Sequence, residues 1–132
     1  MTDIKSGINP LFLREEDLRQ GIELLYFAYR DFTAEPDAIL AEIGFGRAHH
    51  RVMHFVGRNP RITVSELLAI LKITKQSLSR VLGQLVREKF IVQHEGPQDR
   101  RQRLLELTPK GVELERRLSD SQRRRFADAY RN

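Results

Sequence analysis

The chain has 132 residues, 40% of them hydrophobic and 31% charged, with a formal net charge of +5. That size suits one domain with a modest core. No stretch approaches the ~18 consecutive apolar residues of a membrane span. The opening MTDIKSGINP lacks the apolar core of a signal peptide. Cysteine is absent, which excludes disulfides, thiolate metal sites and thiol redox sensing. A cytoplasmic location with no membrane partner is the expectation.

In chain order, the first ten residues read as a loose arm. REEDLRQGIELLYFAYRDF follows as a helix with Glu15, Glu16 and Asp17 at its N-terminus, where the helix dipole favours negative charge. Leu18, Ile22, Leu25 and Tyr29 form one stripe, and Leu24, Phe27 and Ala28 widen it. That coverage fits central core or half of a dimer interface. TAEPDAILAEIG reads as a second, short helix, with Thr33 as cap, Pro36 in the first turn and Gly44 at the end. A histidine-rich helix comes next and closes at the breaker run GRNP.

TVSELLAIL opens with Thr63 and Glu66 at capping-box spacing. After the short connection KIT, KQSLSRVLGQLVREKF repeats Leu78, Val81, Leu82, Leu85 and Phe90 at helical spacing, with Thr74 as N-cap. Lys75, Gln76, Ser79, Arg80 and Arg87 lie largely off that face. The period then changes. Ile91–His94 and Arg103–Thr108 are β-prone runs around the turn-forming tip EGPQDRR, which predicts a hairpin. Thr108 and Pro109 then start a last helix, whose apolar stripe of Val112, Leu114 and Leu118 thins out before Phe126 and Tyr130.

The charge is placed as well as counted. Residues 72–103 hold eight basic and three acidic residues, a net of +5, and the rest of the chain is neutral. A neutral body with one basic segment is an electrostatic footprint for a polyanion. Two short helices joined by a tight turn, followed by a hairpin with arginines at its tip, form a winged helix-turn-helix. The second helix can offer base-reading side chains to a major groove. The wing can place a guanidinium in the adjacent minor groove, where negative potential is focused. The alternative use of such a module is protein contact, although a basic helix face combined with a basic wing favours DNA. An enzyme is not expected. No P-loop is present, GFG at residues 44–46 lacks the rest of a dinucleotide fingerprint, and no serine or histidine falls in a nucleophile motif.

SLSRVLGQLVREKFI followed by DRRQRLLELTPKG resembles the MarR family of bacterial regulators. The marks are Ser-x-Ser-Arg with its following leucines, Asp-x-Arg at the wing, and Leu-Thr-x-x-Gly opening the next helix. The resemblance implies a mainly α fold with a small β-hairpin wing. Residues 46–108 would be the DNA-binding lobe, and residues 11–45 and 109–132 the dimerisation helices of a single domain. It implies a homodimer on a pseudo-palindromic double-stranded DNA operator, with repression as the expected sign and a small-molecule effector as candidate control. Arg80 matches the recognition-helix arginine, Arg101 the wing arginine, and Asp99 its acidic partner. Thr74, Lys75, Gln76, Ser77 and Ser79 match the groove-facing start of the helix, and Arg100 adds a second wing cation by its chemistry. Two features depart from the family pattern. Lys89 stands where glycine commonly ends the recognition helix, at a cost of about 1 kcal/mol if it turns left-handed, so the helix is expected to run on or end differently. The chain also stops soon after its last helix begins, which puts the usual dimer contacts and effector cleft in question, with the apolar first helix as the compensating surface.

In GRAHHRVMHF, His50 and His54 are four apart and share one side of a helix. That spacing raises a metal-responsive regulator as an alternative, and some members of the resembled family sense zinc. Arg47 and Arg51 lie close by with no local carboxylate, and two imidazoles fall short of the three or four protein ligands zinc takes. No cofactor or metal is therefore expected. His50 is expected to pack at the junction between the DNA lobe and the dimer region. His49, Arg47 and Arg51 are expected to hold the lobe or touch phosphate.

Overall fold

The computed structural model describes residues 14–131. The expected N-terminal arm lies outside the described residues. The elements in order are α1 (Glu15–Ala41), α2 (Arg47–Arg58), β1 (Ile62–Thr63), α3 (Val64–Leu71), α4 (Lys75–Arg87), β2 (Ile91–Glu95), β3 (Arg103–Leu107) and α5 (Pro109–Arg131). The chain divides after Ala34 into two units.

The first unit carries the start of α1. Its apolar residues are uncovered in the single chain: Ile22 is 69% exposed and Leu25 73%, with Leu24, Tyr26, Phe27 and Tyr29 also exposed. The separate second helix expected from Thr33 does not form, and α1 continues to Ala41. Thr33 does not cap. Its hydroxyl donates back to the Tyr29 carbonyl at 2.8 Å, a bond that a helix interior accommodates. Pro36 lacks the N–H that would continue the ladder, but its ring is fully buried, as is Leu40 one turn on. Burial at this point outweighs the lost hydrogen bond.

In the second unit, α2 to α5 pack around the sheet. Val52, Met53 and Val56 of α2, Leu67 of α3, Leu78 and Leu85 of α4, Leu105 of β3 and Leu118 of α5 are all essentially excluded from solvent. Their helical and alternating spacings are those that place one face inward. The hairpin forms as expected, with Ile91 opposite Leu107 and Glu95 opposite Arg103. A third strand was not expected: β1 adds to the far edge of β3 with Ile62 opposite Leu105, giving the order β1-β3-β2. Two residues show no periodicity, and Thr63 reads more strongly as the cap of α3.

The last helix starts where Thr108 and Pro109 place it and runs on to Arg131. α5 spans 23 residues and persists after its apolar stripe thins. Charges three or four apart hold it: Arg116 bridges Glu113 and Asp120, Arg123 meets Asp120, and Arg131 meets Asp128.

Lys89 also settles how α4 ends. It takes φ +66°, the left-handed region. Its N–H bonds the Val86 carbonyl at 3.1 Å, and the Phe90 N–H bonds the Leu85 carbonyl at 2.8 Å. That is the paired-bond helix stop usually built on glycine. The helix therefore ends where glycine would end it, with lysine bearing the strain.

Candidate nucleic-acid interface

α3 starts on a closed capping box. The Thr63 hydroxyl accepts from the Glu66 N–H at 3.1 Å, and the Glu66 carboxylate accepts from the Thr63 N–H at 2.9 Å. The Thr63 N–H, then the Thr63 hydroxyl, which donates to the same carboxylate at 3.0 Å, hold the Glu66 carboxyl below its usual range. After the turn, the Thr74 hydroxyl accepts from the Ser77 N–H at 3.0 Å and donates to the Ser77 hydroxyl at 2.9 Å. Of the groove-facing set read from sequence, Thr74 and Ser77 thus brace the helix start. Lys75, Gln76, Ser79 and Arg80 are exposed along one side of α4, opposite buried Leu78, Val81, Leu82 and Leu85. Arg80 has no ion-pair partner among the described residues.

The wing has its own internal order. The Gly96 N–H bonds the Gln102 carbonyl at 3.1 Å, and the Gln102 N–H bonds the Asp99 carbonyl at 3.1 Å, which closes the tip. Asp99 Oδ1 accepts from the Arg101 backbone N–H at 3.0 Å and from its Nε at 3.2 Å, while Nη2 reaches Oδ2 at 3.4 Å. The side-chain bonds of Arg101, then its backbone bond, hold the Asp99 carboxyl below its ordinary value. The Arg101 side chain nevertheless remains 92% exposed. Asp99 fixes the root of the guanidinium and leaves it projecting. Arg100 is exposed too, and its carbonyl accepts from Arg103 at 3.1 Å.

Gly96 is a requirement that sequence reading passed over as a generic turn former. A Cβ there would sit 2.6 Å from the Asp99 carbonyl oxygen. Gln84 is another missed residue. It lies beside the buried face of α4 and meets His49 of α2, Nε2 to Oε1, at 2.6 Å. His49 Nδ1 accepts from the Gly46 N–H at 3.0 Å, so the proton is on Nε2 and is donated to Gln84. The ring stacks on Phe45 at 4.4 Å, and Phe45 meets Phe90 edge-on at 5.5 Å. His49 is thus a buried strut between the start of α2 and the recognition helix. The only sequence signal was that His49 and Gln84 each flank an apolar face.

Arg47 holds the lobe, through a bond from its Nε to Asp37 at 3.0 Å. His50 is half-buried. The carboxylates that local sequence lacked come from other elements: Glu115 of α5 lies 3.8 Å from His54 Nδ1 and also acts on His50, as does Asp37. Among the described residues, no group of three or more His, Asp or Glu converges as a metal would need.

Burial, then the neighbouring His54, push the His50 imidazole below its usual value of 6.5; Glu115 and Asp37 oppose this, and Arg51 adds to it. The unfolded chain therefore takes this proton first. His50 contributes stability above pH 6.5 that is lost as the pH falls below it. The drop in Tm between pH 7.5 and pH 5.5 should accordingly be smaller in His50→Phe than in wild type. Equal drops in the two proteins would remove His50 as the source.

A family model described as MarR family matches residues 43–102. The HTH-type transcriptional regulator PetP of Rhodobacter capsulatus is 50% identical over 130 residues, covering 98% of this chain and 78% of that protein. This chain belongs to the MarR family. Among solved structures, Staphylococcus aureus MarR in complex with salicylate and kanamycin superposes with a TM-score of 0.72 at 22% identity, over 89% of this chain and 79% of that one. An S. aureus MepR mutant bound to an oligodeoxyribonucleotide gives 0.64 at 19% identity, over 74% and 72%. As a MarR-family transcriptional regulator, the chain builds its DNA-binding winged helix from α3, α4 and the β2–β3 hairpin. No helix among the described residues is long and apolar enough to cross a membrane.

Proposed function

We propose that this MarR-family protein is a cytoplasmic repressor that binds a pseudo-palindromic operator as a homodimer. The observation that carries the DNA-reading part is the wing: Arg101 is rooted by Asp99 yet almost wholly exposed, beside a recognition helix whose free side is polar and basic. Lys75, Gln76, Ser79 and Arg80 are assigned to the major groove, with Thr74 and Ser77 fixing the helix start. Arg101 is assigned to the minor groove, and Arg100 to phosphate. The uncovered apolar side of α1 supports the dimer, because exposed Ile22, Leu24 and Leu25 on one helix call for a partner surface. In this reading residues 11–45 and 109–132 dimerise and residues 46–108 read DNA. A ligand would act by shifting the spacing of the two reading lobes.

Selection of bound duplex from a random pool, followed by footprinting, tests this reading. A palindrome with half-sites about one helical turn (~34 Å) apart is expected. Arg80→Ala should relax preference at one base pair per half-site, with ~1–3 kcal/mol of discrimination lost. Recovery of no preferred sequence, with weak and salt-insensitive binding, would leave the protein-interaction reading in its place.

A further inference from the structure

Among the described residues, three that are not glycine have positive φ: Arg61 (69°), Lys72 (54°) and Lys89 (66°). All three are cations. The left-handed region suits glycine and strains any residue with a Cβ. Strained backbone clusters at functional sites, so each such position raises the question of what holds it there. For Arg61 an answer is visible, since its guanidinium lies 3.8 Å from Glu106. Lys89 sits at the end of α4 that docks on α5, with its carbonyl accepting from the Thr108 hydroxyl at 2.6 Å.

Lys72 shares with Lys89 an exposed side chain and no ion pair among the described residues, and differs from it in place. Its N–H bonds the Leu68 carbonyl at 2.9 Å and ends α3, so the backbone role could be filled by glycine. The side chain is exposed and has no ion-pair partner among the described residues. It opens the turn that leads, two residues later, to Thr74 and the start of α4. The 13 residues of α4, at 1.5 Å rise, put Lys89 about 20 Å away at the opposite end. A helix that enters a major groove ~12 Å wide by its N-terminus carries the preceding turn to the groove edge, where the phosphates lie.

We propose that the Lys72 ammonium contacts a backbone phosphate of bound DNA, and that this contact is what keeps a strained lysine in the turn. The proposal rests on the DNA-binding reading above. Lys89, equally strained but at the far end of the helix, is its internal control.

The experiment compares wild type, Lys72→Gly, Lys72→Arg, Lys89→Gly and Arg80→Ala by thermal melting and by anisotropy titration. The probes are the selected operator and a scrambled duplex, each over a range of salt. Both glycine variants should melt a few degrees higher than wild type. Only Lys72→Gly of these two should bind more weakly, by roughly three- to tenfold and equally on both duplexes, with the salt slope reduced by about 1. Lys72→Arg should bind like wild type. An unchanged salt slope in Lys72→Gly, while Arg80→Ala loses operator affinity, would overturn the phosphate contact and leave DNA binding intact. A lower melting temperature in Lys72→Gly would also overturn it, by removing the strain. Salt-insensitive binding by wild type would overturn the DNA-binding reading itself.

Discussion

Gly111→Ala should be the most destabilising single-methyl change in the chain, costing about 3 kcal/mol or more, with a fall in Tm of roughly 10 °C. A Cβ at Gly111 would lie 2.1 Å from the Phe90 carbonyl oxygen and 3.3 Å from Leu107. That carbonyl cannot move aside freely, because it accepts from the Thr108 N–H at 3.0 Å. Thr108 is pinned in turn: its hydroxyl accepts from the Gly111 N–H at 3.0 Å and donates to the Lys89 carbonyl at 2.6 Å. The end of α4 and the start of α5 therefore meet backbone to backbone. Gly21→Ala is the opposite case. A Cβ there meets nothing within 4 Å in the single chain, so the better helix former should add about 0.5–1 kcal/mol. Thermal denaturation of both variants checks the pair. A Gly111→Ala protein melting within a degree or two of wild type would contradict the close approach.

Arg101→Ala should have the largest effect on DNA binding, weakening it roughly tenfold or more and lowering the salt slope by about 1. The fork to Asp99 predefines where the guanidinium points, so little ordering is left for the moment of binding. Asp99→Ala should reproduce part of the loss without removing a cation: affinity falls while the salt slope stays near that of wild type. Arg101→Lys should rescue poorly, because an ammonium lacks the planar fork that meets Asp99. Gly96→Ala should resemble Asp99→Ala, since its Cβ would press on the Asp99 carbonyl and turn the tip. Anisotropy titrations at several salt concentrations separate these outcomes. An Asp99→Ala protein that binds as tightly as wild type would show that Arg101 needs no rooting.

Much of this was legible in the sequence because local signals agreed with the fold. Thr63 with Glu66, and Thr74 before a regular leucine pattern, marked α3 and α4 as they stand. The Asp99–Arg101 pairing was legible through the family resemblance, whose wing motif is Asp-x-Arg, and the two side chains do meet. What sequence concealed depended on distant partners. Pro36 signals a helix start unless its ring finds a core, and here it does. β1 is a strand by virtue of its pairing with β3, far along the chain. α5 persists through charge pairs that an apolar count cannot register. Lys89 ends α4 as glycine would, which shows that two backbone bonds can override a residue's own preference. Gln84 became visible only when His49, 35 residues away in sequence, was placed against it.

The His49 strut has a consequence for coordination chemistry. Its Nδ1 lone pair is occupied by the Gly46 N–H, and its Nε2 carries the proton shared with Gln84. No electron pair on this ring is left for a metal ion unless the start of α2 is first unmade. Of the three histidines in GRAHHRVMHF, one is a fixed joint and only His50 and His54 keep the freedom of a ligand. Any ion that reached them would meet the Glu115 carboxylate, 3.8 Å from His54 Nδ1, and the cationic Arg51, which acts on His50.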